Sequence, residues 1–423
     1  MTTTQMLRLL FATLLALSIL PAQAQDDRRK PPTKVTEKLS PQVYEKILAA
    51  QTLMEGKDMA GAEAAINELL VDRGSRNDYE LSQIYNFLAA IHYEQGRIDD
   101  TIRDYLNIVA LAEAPEQVRT NALFRLAQLY FVEGQYERSV KVLERWMAQV
   151  ESVRPEAHML MAQAYYQMEQ YAQAKAPIIS ALREAKRRQQ APAESWLALL
   201  RAVYYELGDY RNAVKVLAQM VKRWPNPSYY KQLSGMLGLM EQQKGQLYVM
   251  HAAAVGDMLE TEFEILNLAR LYMAEDAPYP AVEVLQSAMK AGLVEESAAN
   301  LQLLAQAMSL AKDPEGQIPV LKKAAALSGD AKDYMYLGQA QLALYQWGEA
   351  AESLEKAVRI GGLDRPGSVY MQIGTAYYNL KRYSRARQAF KEAGQYPDFA
   401  QQSSQWVRFI ESEVARDQAM RAG

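Results

Sequence analysis

Residues Ala376–Ala386 read AYYNLKRYSRA. Near-copies stand upstream, AYYQMEQYAQA at Ala164–Ala174 and VYYELGDYRNA at Val203–Ala213. Each holds a tyrosine pair, a third tyrosine five residues after the second, and then a small residue. The surrounding template is longer. In Tyr370–Ala393 the recurring positions are Tyr370, Ile373, Gly374, Tyr377, Tyr383, Ala386, Phe390 and Ala393, and Leu123–Trp146 and Tyr334–Ala357 follow the same scheme. The Leu-like residue before the small one marks the period, at Leu88, Leu126, Met161, Leu200, Leu233, Leu268, Leu304, Leu337 and Ile373. Within each unit, apolar residues recur three and four apart. A Gly- or Asp-type break follows, and then a second set with the same spacing. That pattern predicts two amphipathic helices joined by a turn. Gly96, Gly134 and Gly208 fall at the break, where a left-handed backbone is easiest for glycine.

This pattern resembles the tetratricopeptide repeat (TPR), over roughly Tyr44 to Ala393 and most specifically near Ala162, Gly338 and Gly374. The resemblance implies an all-α fold, a right-handed TPR-like α-solenoid of about ten helical hairpins at 41–396 with a C-terminal capping helix and tail at 397–423. Gln51–Val71 reads as one degenerate opening unit. Leu233–Leu259 has the helical spacing without an aromatic at its turn. Pro314 and Pro319 stand where a second helix should begin, and Pro319 is expected to shift that start. Phe399, Trp406 and Phe409 are expected on one face of the cap.

The first tyrosine of each pair, at Tyr165, Tyr204 and Tyr377, is expected between helices as core. The second points about 100° away. In tetratricopeptide arrays that direction faces the concave side. The stripe so defined is Tyr93, Phe131, Tyr166, Tyr205, Met273, Leu342 and Tyr378, with Phe124, Met159, Leu266, Met335 and Met371 on the same face. It forms a candidate groove for an extended peptide or a partner helix. The alternative is ordinary packing, with tyrosine covering the neighbouring turn and methionine filling gaps.

The start of the chain points to export. Arg8 precedes an apolar run from Leu9 to Leu20, then Pro21 and Ala22-Gln23-Ala24. That is the layout of a signal peptide at 1–24, cleaved after Ala24; the other reading is an uncleaved anchor. A flexible charged leader is expected at 25–40. The chain has 423 residues and no cysteine, so neither a disulfide nor a lipid-bearing cysteine is available. No later segment is long and apolar enough to insert stably in a membrane. The net charge of −3 argues against nucleic acid as a partner.

Sites of chemistry are not apparent. His92, His158 and His251 each stand alone on a helix, without ligand spacing for a metal. Phosphate-cradling loops and a serine nucleophile elbow are missing, so no cofactor is expected. The chain reads as a binding scaffold and not as an enzyme. Its layout, with SPQVYEKILAAQTLMEGKDMAGAEAAINELL at the opening and LARLYMAEDAPYPAVEVLQSAMKAGLVEES in the middle, is similar to periplasmic tetratricopeptide proteins associated with TonB–ExbB–ExbD systems. That similarity implies TonB, ExbB or ExbD as partners and a part in nutrient or iron uptake. A scaffold for outer-membrane or pilus assembly is the rival reading, although its relatives usually carry a lipid anchor. Accessory service to a cell-wall enzyme is another, although the repeats leave no room for a catalytic domain.

Overall fold

The computed structural model describes residues 38–422. The expected signal peptide at 1–24 and residues 25–37 of the expected leader lie outside the described residues. Among those described are twenty-one α-helices, three single 3-10 turns and no strand. No described helix is long and apolar enough to cross a membrane.

The helices form ten hairpins. In the first five, α1 (Pro41–Glu55) pairs with α2 (Met59–Asn67), α3 (Asp78–Glu94) with α4 (Ile98–Ala110), α5 (Glu116–Val132) with α6 (Tyr136–Met147), α7 (Pro155–Gln167) with α8 (Tyr171–Arg187), and α9 (Glu194–Glu206) with α10 (Tyr210–Arg223). Then α11 (Pro227–Leu239) pairs with α12 (Gln243–Val255), α13 (Glu262–Ala274) with α14 (Pro278–Lys290), α15 (Ala298–Leu310) with α16 (Pro314–Ser328), α17 (Ala331–Ala343) with α18 (Trp347–Ile360), and α19 (Pro366–Asn379) with α20 (Tyr383–Ala393). A last helix, α21 (Ala400–Ala422), follows α20. The chain divides into two compact units within α10, between Val216 and Leu217.

Every hairpin turn is three residues long, and the middle residue has a left-handed backbone in all ten. The residue after it donates its N–H to the carbonyl five back, as in Arg97 to His92 at 2.8 Å, Gln170 to Tyr165 at 2.9 Å and Arg382 to Tyr377 at 2.9 Å. This closure satisfies carbonyls that the end of a helix leaves open. Glycine supplies the left-handed residue at Gly96, Gly134 and Gly208, as expected. The other seven turns use side-chain-bearing residues, Tyr345 at φ 60° and Lys381 at φ 57° among them.

The small residue on the first helix is a packing requirement. A Cβ built on Gly338 would lie 2.5 Å from Leu354 Cγ, and one on Gly374 would lie 2.7 Å from the Phe390 ring. Leu354 and Phe390 are both fully buried on the second helix of their hairpins. The two helices can therefore approach closely only where no side chain intervenes.

Two boundaries differ from the expectation. The opening hairpin begins at Pro41, ten residues before the degenerate unit read from Gln51. The second helix of the eighth hairpin starts at Pro314, capped by the Asp313 side chain, with Pro319 inside it. It starts ten residues after Leu304, the offset that also separates Leu337 from Trp347 and Ile373 from Tyr383. Pro319 therefore does not shift the start. At the other end of the chain, Trp406 of α21 stacks on Phe390, centroids 5.0 Å apart and planes at 6°, and so covers the last hairpin.

Candidate functional site

The third tyrosine explains the repeated stretch. It opens the second helix, and its ring meets the second aromatic of the pair across the three-residue turn. Phe131 meets Tyr136 at 5.4 Å, Tyr166 meets Tyr171 at 5.3 Å, Tyr205 meets Tyr210 at 5.6 Å and Tyr378 meets Tyr383 at 5.9 Å. The interplanar angles run from 53° to 63°, the tilted to edge-on geometry that aromatic quadrupoles favour. The second aromatic is thus a clasp on the turn. The first tyrosines divide. Tyr377 is buried at 3% exposure and donates its hydroxyl to Glu355 at 2.7 Å, whereas Tyr165 and Tyr204 are only half-buried.

The twelve stripe residues do not share one environment. Phe131, Met159 and Met371 are buried and offer no surface to a ligand, because neighbouring helices already cover them. Tyr93, Phe124, Leu266, Met273, Met335 and Leu342 are half-buried and pack against the hairpin cores. Phe124 lies 5.0 Å from the Trp146 ring and under the Arg154 guanidinium at 4.8 Å. Tyr378 is enclosed by Tyr383, Trp406 and Phe409. Tyr166 is half-buried, and Tyr205, at 44%, is the one exposed member. The one exposed member, Tyr205, and half-buried Tyr166 stand at adjoining turns of the first unit, while the other half-buried members are divided between the two units.

Carboxylates stand at these and neighbouring turns. Glu94 and Glu206 end α3 and α9, and Glu133 and Glu169 lie in the turns that follow α5 and α7, all four exposed. None of the four takes part in an ion pair among the described residues. Loss of solvent pushes the Tyr171 hydroxyl above its ordinary pKa, and Glu206 of the next hairpin and Glu169 add to that shift. Tyr171 therefore lies near the carboxylates of two successive turns.

A second polar cluster lies inside the first unit and carries no sequence signal beyond a lone histidine. His92 is buried, with Nδ1 2.7 Å from Asp104 Oδ2 and Nε2 3.2 Å from Glu63 Oε1. Arg97 holds both oxygens of Glu63, at 2.8 and 2.9 Å. Burial opposes charge on Glu63, but hydrogen bonds from Arg97, His92 and Gln95 outweigh it and hold the carboxyl below its usual range. Burial raises Asp104 to about 6, against the hydrogen bond to His92. The cluster joins α2 of the first hairpin to α3 and α4 of the second. No group of three or more His, Asp or Glu side chains suited to a metal occurs among the described residues.

Tetratricopeptide repeat models match residues 199–227 and 367–393. The chain carries tetratricopeptide repeats. A third family model, described as anaphase-promoting complex, cyclosome, subunit 3, matches residues 110–181. Several solved structures are similar to parts of this repeat protein. The crystal structure of MamA is 23% identical, with 41% of this chain and 97% of that chain covered and a TM-score of 0.34. A tetratricopeptide repeat protein from Parabacteroides merdae is 14% identical, with 64% and 100% covered and a TM-score of 0.37. The TPR2AB-domain:pHSP90 complex of yeast Sti1 is 16% identical, with 63% and 98% covered and a TM-score of 0.35. No curated protein sequence matches the chain.

Proposed function

We propose that this repeat protein is a scaffold that binds other proteins through its hairpins, working in the periplasm after export. The observation that carries the binding reading is the row of aromatic clasps at successive turns. Tyr166, Tyr171, Tyr205 and Tyr210 present partly open rings on adjoining hairpins of one unit. Such rings offer contact area at small entropic cost, as aromatic anchors do at protein interfaces. Support for export comes from the charged start, short apolar run and Ala22-Gln23-Ala24 of the first residues. Support for a link to TonB–ExbB–ExbD energy transduction, and through it to nutrient or iron uptake, comes from the whole-chain likeness of the opening and middle segments.

In-cell crosslinking of the tagged chain, followed by mass spectrometry, tests the reading. Recovery of TonB, ExbB or ExbD homologues is the expected result. Recovery of outer-membrane assembly or cell-wall proteins alone would overturn the energy-transduction role and keep the scaffold. Fractionation of the same cells tests export, since a cytoplasmic pool of full-length chain would contradict it.

A further inference from the structure

His92 lies between two carboxylates. Its Nδ1 is 2.7 Å from Asp104 Oδ2, and its Nε2 is 3.2 Å from Glu63 Oε1. A carboxylate offers only lone pairs, and a neutral imidazole carries a single N–H. Both contacts are therefore hydrogen bonds only when the group holds one proton more than a neutral ring and two carboxylates. That proton sits on the ring or on one of the carboxyls. Without it, one ring nitrogen faces an oxygen lone pair to lone pair, at a site where His92 and Asp104 are 7% and 5% exposed. The charges agree. Glu63 and Asp104 are balanced by Arg97 and by the added proton. Loss of the proton leaves one negative charge uncompensated away from water. The other charged groups around the cluster are already engaged. Asp100 and Arg103 of α4 pair with each other at 2.7 Å, and Asp100 also holds Arg97. Arg125 of α5 acts on Tyr105, the neighbour of Asp104 in sequence. Lys46 of α1 is paired with Glu68.

The three groups come from two hairpins. His92 and Asp104 both belong to the second, so their contact does not depend on the first. Glu63 belongs to α2, so its bond to the ring forms only when α2 is docked. Ile66 of α2 lies in one apolar core with Ile84 and Leu88 of α3, and loosening α2 would open that core. We propose that the docking of α2 on the second hairpin is a proton-operated latch, closed by the proton that His92 shares with Glu63 and Asp104 and loosened when that proton leaves. The two carboxyls set its window. Burial raises Asp104 from 3.8 to about 6, so the proton's contribution is complete below 3.8 and is lost as the pH rises through about 6. Glu63 is held below its ordinary 4.5, so its contribution is present above that value and is lost as the pH falls below it. The latch is tightest between these limits, at about pH 5.

Amide exchange of α2 in the intact chain, at about pH 5 and about pH 8 and corrected for intrinsic rates, reads the latch. Exchange is expected to be about tenfold faster at the higher pH. Exchange in α5 and α6, which carry no histidine, is expected to stay the same. An unchanged rate in α2, or equal acceleration in α5 and α6, would overturn the proposal. Asp104→Asn offers an N–H to Nδ1, and Glu63→Gln offers one to Nε2, so neither variant needs the extra proton. Each should exchange α2 alike at both pH values, whatever its base rate. Glu63 is only part-buried, so E63Q serves if D104N disturbs the core. An E63Q chain that keeps the parent's alkaline acceleration would overturn the shared proton.

Discussion

Replacing Gly374 by alanine tests the close approach of paired helices. The added Cβ would lie 2.7–2.8 Å from three atoms of the Phe390 ring. Phe390 is fully buried and sandwiched against Trp406, so its ring has no room to retreat. Overpacking of this kind costs about 2–3 kcal/mol. Alanine returns about 1 kcal/mol through its higher helix propensity. G374A should therefore destabilise the last hairpin by about 1–2 kcal/mol. Gly235, on α11, has nothing within 4 Å of the position its Cβ would take. There the same substitution gains the propensity alone, about 1 kcal/mol. The two variants should move stability in opposite directions, about 2–3 kcal/mol apart by the same propensity and overpacking terms. Repeat arrays unfold in parts, so a single midpoint is a poor measure. Amide exchange in α19 and α20 for G374A, and in α11 and α12 for G235A, reads the local effect. Equal signs in the two variants would refute the packing account of the small position.

Three further outcomes follow from the geometry. Lys312→Gly and Lys381→Gly keep the left-handed backbone and relieve the strain of a side chain on it, so each should gain about 1 kcal/mol; faster amide exchange in its own hairpin would contradict it. Tyr377→Ala should cost about 3–5 kcal/mol because the ring is buried, while Tyr205→Ala, at 44% exposure, should shift the melting temperature little, and equal losses in a thermal scan would contradict the division. The folded-state pKa of Glu63 is depressed, so its contribution is present above its ordinary value of 4.5 and is lost as the pH falls below it. Asp104 has the opposite sign: its raised pKa favours the folded state most at acid pH, and that contribution fades as the pH rises through about 6. Amide exchange of the first hairpin should rise as the pH is lowered from 5 to about 3, after correction for intrinsic rates, and E63Q should flatten that response; an unchanged profile in E63Q would show that Glu63 does not hold α2 in place.

The periodicity made the hairpins legible because burial alternates on a fixed helical period, and the apolar positions record it directly. The small position was legible for the same reason: Gly338 and Gly374 recur at the contact. Pro319 misled because a proline is read as a break. In α16 it sits within the second turn, and Pro314 with the Asp313 cap already fixes the start. The stripe was harder to read. Helical direction alone sends Phe131 outward, but its ring turns to Tyr136 and is covered. Which side of a half-exposed aromatic stays open depends on a partner five residues away and on the next hairpin. The seven left-handed turns without glycine left no mark in the sequence, since their geometry comes from the helices on either side.

The three-residue turn has a consequence for how such a chain can change in length. Between the two helices of a hairpin the spacing never varies, while the segments joining one hairpin to the next run from two residues, between Ser328 and Ala331, to ten, between Asn67 and Asp78. An inserted residue in a turn would rotate the second helix by about 100° and carry its apolar face out of contact. The same residue placed between hairpins only lengthens a loop. Growth, shortening and the grafting of foreign segments are therefore confined to the joints between hairpins. The chain behaves as a sentence whose words can be added or dropped but not respelled.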